Sequence, residues 1–257
     1  VSFDADAVRR ELDPFWSELQ AVGETGSTND DVLAEAARGT PQGLVRTAEF
    51  QTAGRGRLDR GWEAPPGTSV MFSILLRPQA PVRHWGWIPI LAGMGVYDAL
   101  QSAAVDAALK WPNDVQLGPD RGKCGGILTQ AAAGAAVVGI GLNVRSHDRL
   151  PETAEVIGDY WDISRERLLA AVLNAIAARY RRWDGAAGDV VRTGLLADYR
   201  TACGTLGQRV RVELPGGAPP ALGIAEDVDQ EGRLVVRTAD GPVVVGAGDV
   251  IHVRPTG

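Results

Sequence analysis

At 257 residues, 45% of them hydrophobic, the chain has apolar material for one large domain, or for a large domain and a small one. A net charge of -6 and a pI near 5.2 argue against a basic nucleic-acid-binding module. No apolar run approaches the ~20 residues that cross a bilayer, and no basic-then-apolar leader opens the chain.

The two cysteines, Cys124 and Cys203, are too few for a disulfide framework, and with the missing leader they point to the cytoplasm. His84, His147 and His252 are scattered without ligand-like spacing, so no structural zinc site is expected.

In chain order, residues 1–22 read as one short helix, with Val8, Leu12, Phe15 and Leu19 at helical spacing. Gly26-Ser27-Thr28-Asn29 precedes a second helix, whose Val32, Leu33, Ala36 and Ala37 are apolar and which stops at Gly39. The simpler role for Ser27 or Thr28 is to cap that helix. The alternative is that these hydroxyls bind a polar ligand. Gly43 to Phe50 reads as a strand.

The pattern then breaks at Gln51-Thr52-Ala53-Gly54-Arg55-Gly56-Arg57, which continues to Arg60-Gly61-Trp62. Repeated Gly-x-Gly marks a place that bends or approaches something closely, and arginine forks suit carboxylates and phosphates. The stretch reads either as a mobile loop closing over an anionic small molecule or as a solvated surface loop. It lacks the Lys-Ser/Thr of a phosphate-binding Walker loop and the third glycine of a dinucleotide fingerprint. The expectation is that Gly54 to Trp62 orders only over ligand.

Thr68 to Leu76 reads as a buried strand and Trp85 to Ala104 as a long buried helix that tolerates Gly93 and Gly95. A short strand follows and is interrupted at Lys110-Trp111-Pro112-Asn113-Asp114, because proline cannot donate to a ladder. Lys123 enters the next strand before Gly125 and Gly126, and a further strand runs from Ala135 to Ile140, ending in Gly139-Ile140-Gly141-Leu142-Asn143. Glycine-bearing strand ends are common places for ligands. Ser164 to Trp183 is a clear amphipathic helix capped by Ser164, and Asp189 to Arg200 reads as another. After Gly204, short alternating strands separated by turn signals indicate a small all-β barrel.

These stretches, in this order and over nearly the whole chain, resemble the biotin protein ligases. The motifs are Ser27-Thr28-Asn29, the Gln51 to Arg57 loop, Lys110 to Asp114, Lys123 with Gly126-Ile127-Leu128, and Gly139 to Asn143. Larger members carry an N-terminal winged helix-turn-helix, for which this chain has no room, so it resembles the short, non-repressor class.

The resemblance implies an α+β fold, with a core like that of class II aminoacyl-tRNA synthetases over residues 1–203 and an SH3-like β-barrel over 204–257. It implies two steps. Biotin and MgATP give biotinyl-5′-adenylate and pyrophosphate. A lysine of a biotin carboxyl carrier domain of an acyl-CoA or pyruvate carboxylase then takes the biotinyl group. The expected enzyme is a monomer or weak homodimer that engages neither DNA nor membrane.

By the same resemblance, Ser27, Thr28, Asn29, Gln51, Gly54, Arg55, Arg57, Lys123 and Gly126 bind biotin. Arg55, Arg57, Trp62, Lys110, Asn113, Lys123 and Asn143 face the nucleotide. Lys123 and Arg57 neutralise the two anions, and Asp114 orients the acceptor amine and takes its proton. No Mg²⁺ ligand is assigned. Residues 145–163 match the family poorly, so no adenine-stacking residue is named. Cys124 reads as an inert small residue. The competing readings are a lipoate ligase or octanoyltransferase on the same core, and a biotin sensor without transfer activity.

Overall fold

The computed structural model describes residues 3–56, 61–214, 218–246 and 248–252. Helix α1 (Ala5–Glu11) is capped by the Asp4 carboxylate, which accepts from the Asp6 and Ala7 amides. It is shorter than its spacing predicts. Pro14 follows it, and Leu19 lies in a strand, β1 (Glu18–Thr25). This strand is edge-like, with Leu19 its one buried residue, and it holds by pairing in parallel with β2 (Leu44–Gln51) across α2 (Thr28–Ala37). Asp30 and Asp31 favour the first turn of α2, and Gly39, at φ +85°, ends the helical path.

The remaining core elements are β3 (Ser69–Leu76), α3 (Trp87–Ser102), β4 (Ala107–Lys110), β5 (Asp114–Leu117), β6 (Gly122–Ala132) and β7 (Ala135–Asn143). Together they form a mixed seven-stranded sheet in the order β1-β2-β3-β7-β6-β5-β4, antiparallel except for the first pair. The Trp111–Pro112 bond at the β4–β5 turn is cis.

Both faces of the sheet are covered. The even residues of β3, Val70, Phe72, Ile74 and Leu76, join the main core with α3 and α4 (Arg165–Asp184). Leu75 faces the other way, into a smaller core under α2 with Val32, Leu44 and Val137. Each such buried side chain contributes roughly 1.5–3 kcal/mol. Gly95 of α3 is a requirement rather than a tolerated flaw, because a Cβ there would come within 2.4 Å of Ile176 on α4. The last core helix, α5, spans Leu195–Ala202 and starts later than its periodicity suggests. The Asp189 carboxylate holds the Val191 and Arg192 amides in a turn, and Gly194 takes the left-handed conformation at φ +77°.

The C-terminal strands are β8 (Arg209–Glu213), β9 (Ala221–Val228), β10 (Leu234–Thr238), β11 (Gly241–Val245) and β12 (Asp249–His252). They form an antiparallel sheet in the order β11-β10-β9-β8-β12. Two buried indoles fasten it to the core. Trp87 Nε1 donates to Gln230 O at 2.7 Å, and Trp111 Nε1 donates to Gly232 O at 3.0 Å. Thr205 Oγ1 also accepts from the Trp111 amide at 3.0 Å. The small sheet thus braces the residue just before Pro112-Asn113-Asp114.

Candidate active site

Parity along β7 builds the floor of a cleft. Ala136, Val138, Ile140 and Leu142 point into the main core, while Ala135 and Val137 point the other way under α2. Gly139, Gly141 and Asn143 continue that second face beyond the end of α2. A cavity of about 520 Å³ opens there. The glycines are required by what lies on them. A Cβ on Gly139 would meet Asn29 Oδ1 at 2.3 Å, and one on Gly141 would meet the Trp62 ring at 2.4 Å.

One end of the cavity is buried and polar. Ser27, Thr28 and Asn29 line it at 3–4% exposure, with Gln51 beside them. Ser27 occupies the N-cap position of α2, yet its side chain makes no capping hydrogen bond, so capping is not the role of its hydroxyl. Thr28 is not a cap either, because its hydroxyl meets Ser73 Oγ at 2.7 Å and Gln51 Oε1 at 3.2 Å. Gln51 Oε1 also accepts from the Thr28 amide at 2.8 Å, which closes the helix start onto the end of β2. Asn29 Nδ2 donates to Gln130 Oε1 at 2.8 Å and Asn29 Oδ1 accepts from Ser73 at 2.6 Å, so its polar atoms are engaged inside the protein.

The other end carries charge. Lys123 Nζ lies 2.7 Å from Asp114 Oδ1, with the lysine side chain 43% exposed. A pair this open is worth about 0–1 kcal/mol, so an incoming anion can draw the ammonium away from it. Asn113 holds the turn beneath by donating from Nδ2 to Ile127 O, while its own carbonyl accepts from the Ile127 amide. Burial pushes the Cys124 thiol well above its usual pKa, so the sulfur beside Lys123 is inert.

The Arg-Gly stretch stands on a hairpin stem at the cavity edge. Arg55 bridges to Gly61, and the Trp62 amide donates to Gly54 O at 2.9 Å. A Cβ on Gly54 would reach Trp62 O at 2.4 Å, which accounts for the glycine. The Thr52 and Ala53 amides fix the stem to Thr25 and Gly26. Arg55 pairs with Asp30 in the first turn of α2. Arg57 and Arg60 lie outside the described residues, so the expected ordering of the loop has no structural counterpart here.

Of the residues read from sequence, Ser27, Thr28, Asn29, Gln51, Arg55, Trp62, Asn113, Asp114, Lys123, Gly126 and Asn143 all border this one cavity. Gly54 shapes the loop stem behind it. Lys110 pairs with Asp114 across the β4–β5 turn and does not line the cavity. Trp161, the tryptophan within the poorly matching segment 145–163, packs against the main core instead of the cavity.

A wall that the sequence reading left unassigned comes from the segment after β7. Arg149, Thr153 and Ala154 line the charged end. The segment is tied across Lys123, whose carbonyl accepts from the Glu155 amide at 3.0 Å, and Asn143 Nδ2 donates to Glu155 O at 3.4 Å. Ser73 was also missed, being a hydroxyl in the middle of a mostly apolar strand. The alternation Gly139, Gly141, Asn143 was the available signal for the floor.

A cleft that joins a buried hydrogen-bonding end to exposed cations suits an enzyme that activates a small carboxylate. Comparison with known proteins narrows the class. Residues 24–146 match the biotin/lipoate A/B protein ligase family, and residues 205–253 match the biotin protein ligase C terminal domain. A biotin–[acetyl-CoA-carboxylase] ligase of Mycobacterium tuberculosis is 41% identical over 248 residues, covering 93% of this chain and 90% of that protein. The bifunctional ligase/repressor BirA of Bacillus subtilis is 28% identical, covering 87% of this chain and 70% of its own. The structure of a biotin protein ligase from Aquifex aeolicus, in complex with biotin and ATP, shares the fold. Its TM-score is 0.75 at 24% identity, covering 92% of this chain and 99% of that one. The chain belongs to the biotin protein ligase family.

Proposed function

We propose that this chain activates biotin with MgATP to biotinyl-5′-adenylate and transfers the biotinyl group to a lysine of a biotin carboxyl carrier domain. The observation that carries this reading is the single cavity joining the Thr28–Gln51 end to Lys123. The buried end offers matched hydrogen-bonding partners to a ureido ring, which would lose water on entering. The carboxylate tail then reaches Lys123, and Arg55 lines the same cavity. Adenylation brings a carboxylate against an α-phosphate, and fixed cations aimed at that point lower the barrier.

Once a ligand anion has drawn Lys123 toward itself, Asp114 is released from the ion pair. It can then orient the acceptor amine and take its proton. Arg57 adds a further cation over the adenylate, and Asn113, Trp62 and Asn143 face the nucleotide, while Lys110, outside the cavity, contributes no contact in this reading. Mg²⁺ arrives with the triphosphate as part of the substrate, and this reading assigns it no protein ligand.

The acceptor in this reading is a carrier domain of an acyl-CoA or pyruvate carboxylase in the cytoplasm, and the enzyme acts as a monomer or weak homodimer without DNA. We divide the work at residues 203 and 204. Support comes from the onset of the small sheet after Gly204 and from the separate family match there. Pyrophosphate exchange into ATP, with biotin, lipoate or octanoate offered in turn, tests the activity. Exchange with biotin alone is expected. Exchange with lipoate or octanoate would move the chain to the neighbouring ligase class, and biotin binding without exchange would make it a sensor.

A further inference from the structure

Ser73 is the centre of a chain of hydrogen bonds that runs from the cavity into the sheet. It is fully buried in β3, on the same face as Met71 and Leu75, beneath the first residues of α2. The direction of each bond can be worked out from the far end. Asn29 Nδ2 lies 2.8 Å from Gln130 Oε1 and 3.4 Å from the carbonyl of Leu128. A backbone carbonyl only accepts, so the amide nitrogen of Asn29 faces that side and its oxygen faces Ser73. The glycine at 139 makes room for this amide, because a Cβ there would collide with Asn29 Oδ1.

Asn29 Oδ1 in turn only accepts, so the single proton of Ser73 goes to it at 2.6 Å. The 2.7 Å contact between Ser73 and Thr28 is then donated by Thr28. The other acceptor near Thr28 Oγ1, Gln51 Oε1 at 3.2 Å, pulls the same proton and already takes the Thr28 amide at 2.8 Å. Thr28 therefore has no hydroxyl proton left for a ligand and presents an oxygen lone pair to the cavity. Beside it, Gln51 Nε2 contacts Met71 Sδ at 3.4 Å, a weak acceptor, which leaves an amide N–H for a ligand oxygen.

We infer that Ser73 is a specificity-determining positioning residue: by drawing the Thr28 proton inward it makes this end accept a ring N–H and reject a ring oxygen. The inference rests on the proposed reading that biotin enters this cavity ring first. The acceptor of Thr28 beside the donor of Gln51 is the complement of an N–H beside a C=O, which is the edge of a cyclic urea. A cyclic carbamate has the same shape and places an oxygen where one N–H should be.

The test measures binding of biotin and of its two cyclic carbamate isomers to the full chain by calorimetry. Sites built to bond an N–H reject analogues lacking it strongly. For wild type, one carbamate isomer should bind at least ~100-fold more weakly than biotin. In Ser73→Ala the Thr28 hydroxyl is held only by the longer contact to Gln51 and can turn toward the ring oxygen. The biotin-to-carbamate ratio should then fall about tenfold, the worth of one net hydrogen bond. Should Ser73→Ala fail to fold, Ser73→Cys is nearly isosteric, bonds weakly and gives the same readout.

In a Thr28→Val background the Ser73 change should leave the ratio where it is, since the hydroxyl it directs is gone. A Ser73 variant in which both affinities fall in parallel, with the ratio kept, would show a merely structural role and overturn the inference alone. Wild type that binds neither biotin nor carbamate would overturn the reading of the cavity and this inference with it.

Discussion

The two ends of the cavity solve different problems by different means. At the Thr28 end, Thr28, Asn29 and Ser73 are buried and already hydrogen-bonded, with Gln51 and Gln130 as partners, before any ligand arrives. At the Lys123 end the charged groups are partly exposed and paired, Lys123 with Asp114, and a second exposed pair, Arg55 with Asp30, stands where the loop stem meets α2. A buried network holds one geometry because leaving any member unpaired costs about 1–3 kcal/mol. Exposed ion pairs cost little to open, so their cations can be reassigned to substrate anions as the reaction proceeds. In the proposed reading, recognition of a neutral ring belongs to the rigid end and handling of charge to the adaptable one.

The contrast can be broken most severely at Lys123. Lys123→Ala should lower biotin-dependent pyrophosphate exchange by ~100-fold or more, the usual loss for a cation that stabilises a transition state. The melting temperature should stay close to that of wild type, since an exposed pair stabilises the fold little. Full activity in the variant would return Lys123 to an ordinary surface residue.

The next effect concerns retention rather than synthesis. In the proposed reading Arg57→Gly removes a charge-assisted contact to the adenylate, worth about 1.5–3 kcal/mol, or roughly 10- to 150-fold in retention. The mixed anhydride should still form and should leak, biotinylating exposed lysines of an unrelated protein included in the reaction. Equal labelling of that bystander by both proteins, with adenylate synthesis confirmed, would remove Arg57 from the retention role.

A third change separates scaffold from chemistry. Trp111→Phe deletes the hydrogen bond from the indole to Gly232 O and part of the buried ring behind Pro112. Losses of this kind cost about 2 kcal/mol, which for a chain of this size lowers the melting temperature by roughly 4–8 °C. Biotin affinity should change little, because the ring end of the cavity is built from other strands. A large drop in affinity without loss of stability would show that the small sheet reaches the recognition end.

Asp30→Asn should have the smallest effect. The Arg55–Asp30 pair is about half exposed on both sides, and pairs of that kind are worth about 0–1 kcal/mol, or up to ~5-fold in affinity. Biotin and ATP affinities measured at low and high salt should converge with those of wild type as salt rises. A change beyond tenfold would place Asp30 in the preorganised half of the cavity.

Much of this architecture was legible from local pattern. The stripe of α4, the apolar run of β3 and the short strands after Gly204 each carry their own periodicity, and all three form where the spacing put them. β1 was hidden because an edge strand with one buried residue has little pattern; its stability comes from β2. The start of α5 was misplaced because Asp189 and Gly194 hold a turn within an otherwise helical spacing.

The family motifs drew eleven named side chains or backbone positions to one cavity, but the roles of their neighbours were not visible. Ser73 reads as a tolerated hydroxyl in Ser69-Val-Met-Phe-Ser-Ile-Leu-Leu76, and nothing local says that it faces Thr28. Arg149 and Thr153 lie in a segment without periodicity, and the backbone bond to Lys123 O brings it over the cleft.

The residue types by themselves determined which chemistry was available: glycines where a strand must run bare, arginines and a lysine to meet anions, and apolar periodicity to build the elements. Only the tertiary structure decided where the hydroxyl protons go. A hydroxyl can donate or accept, and its choice depends on what lies across from it. Here that was settled by the carbonyl of Leu128, 99 residues away from Asn29 in sequence and brought alongside by the pairing of β6 with β7.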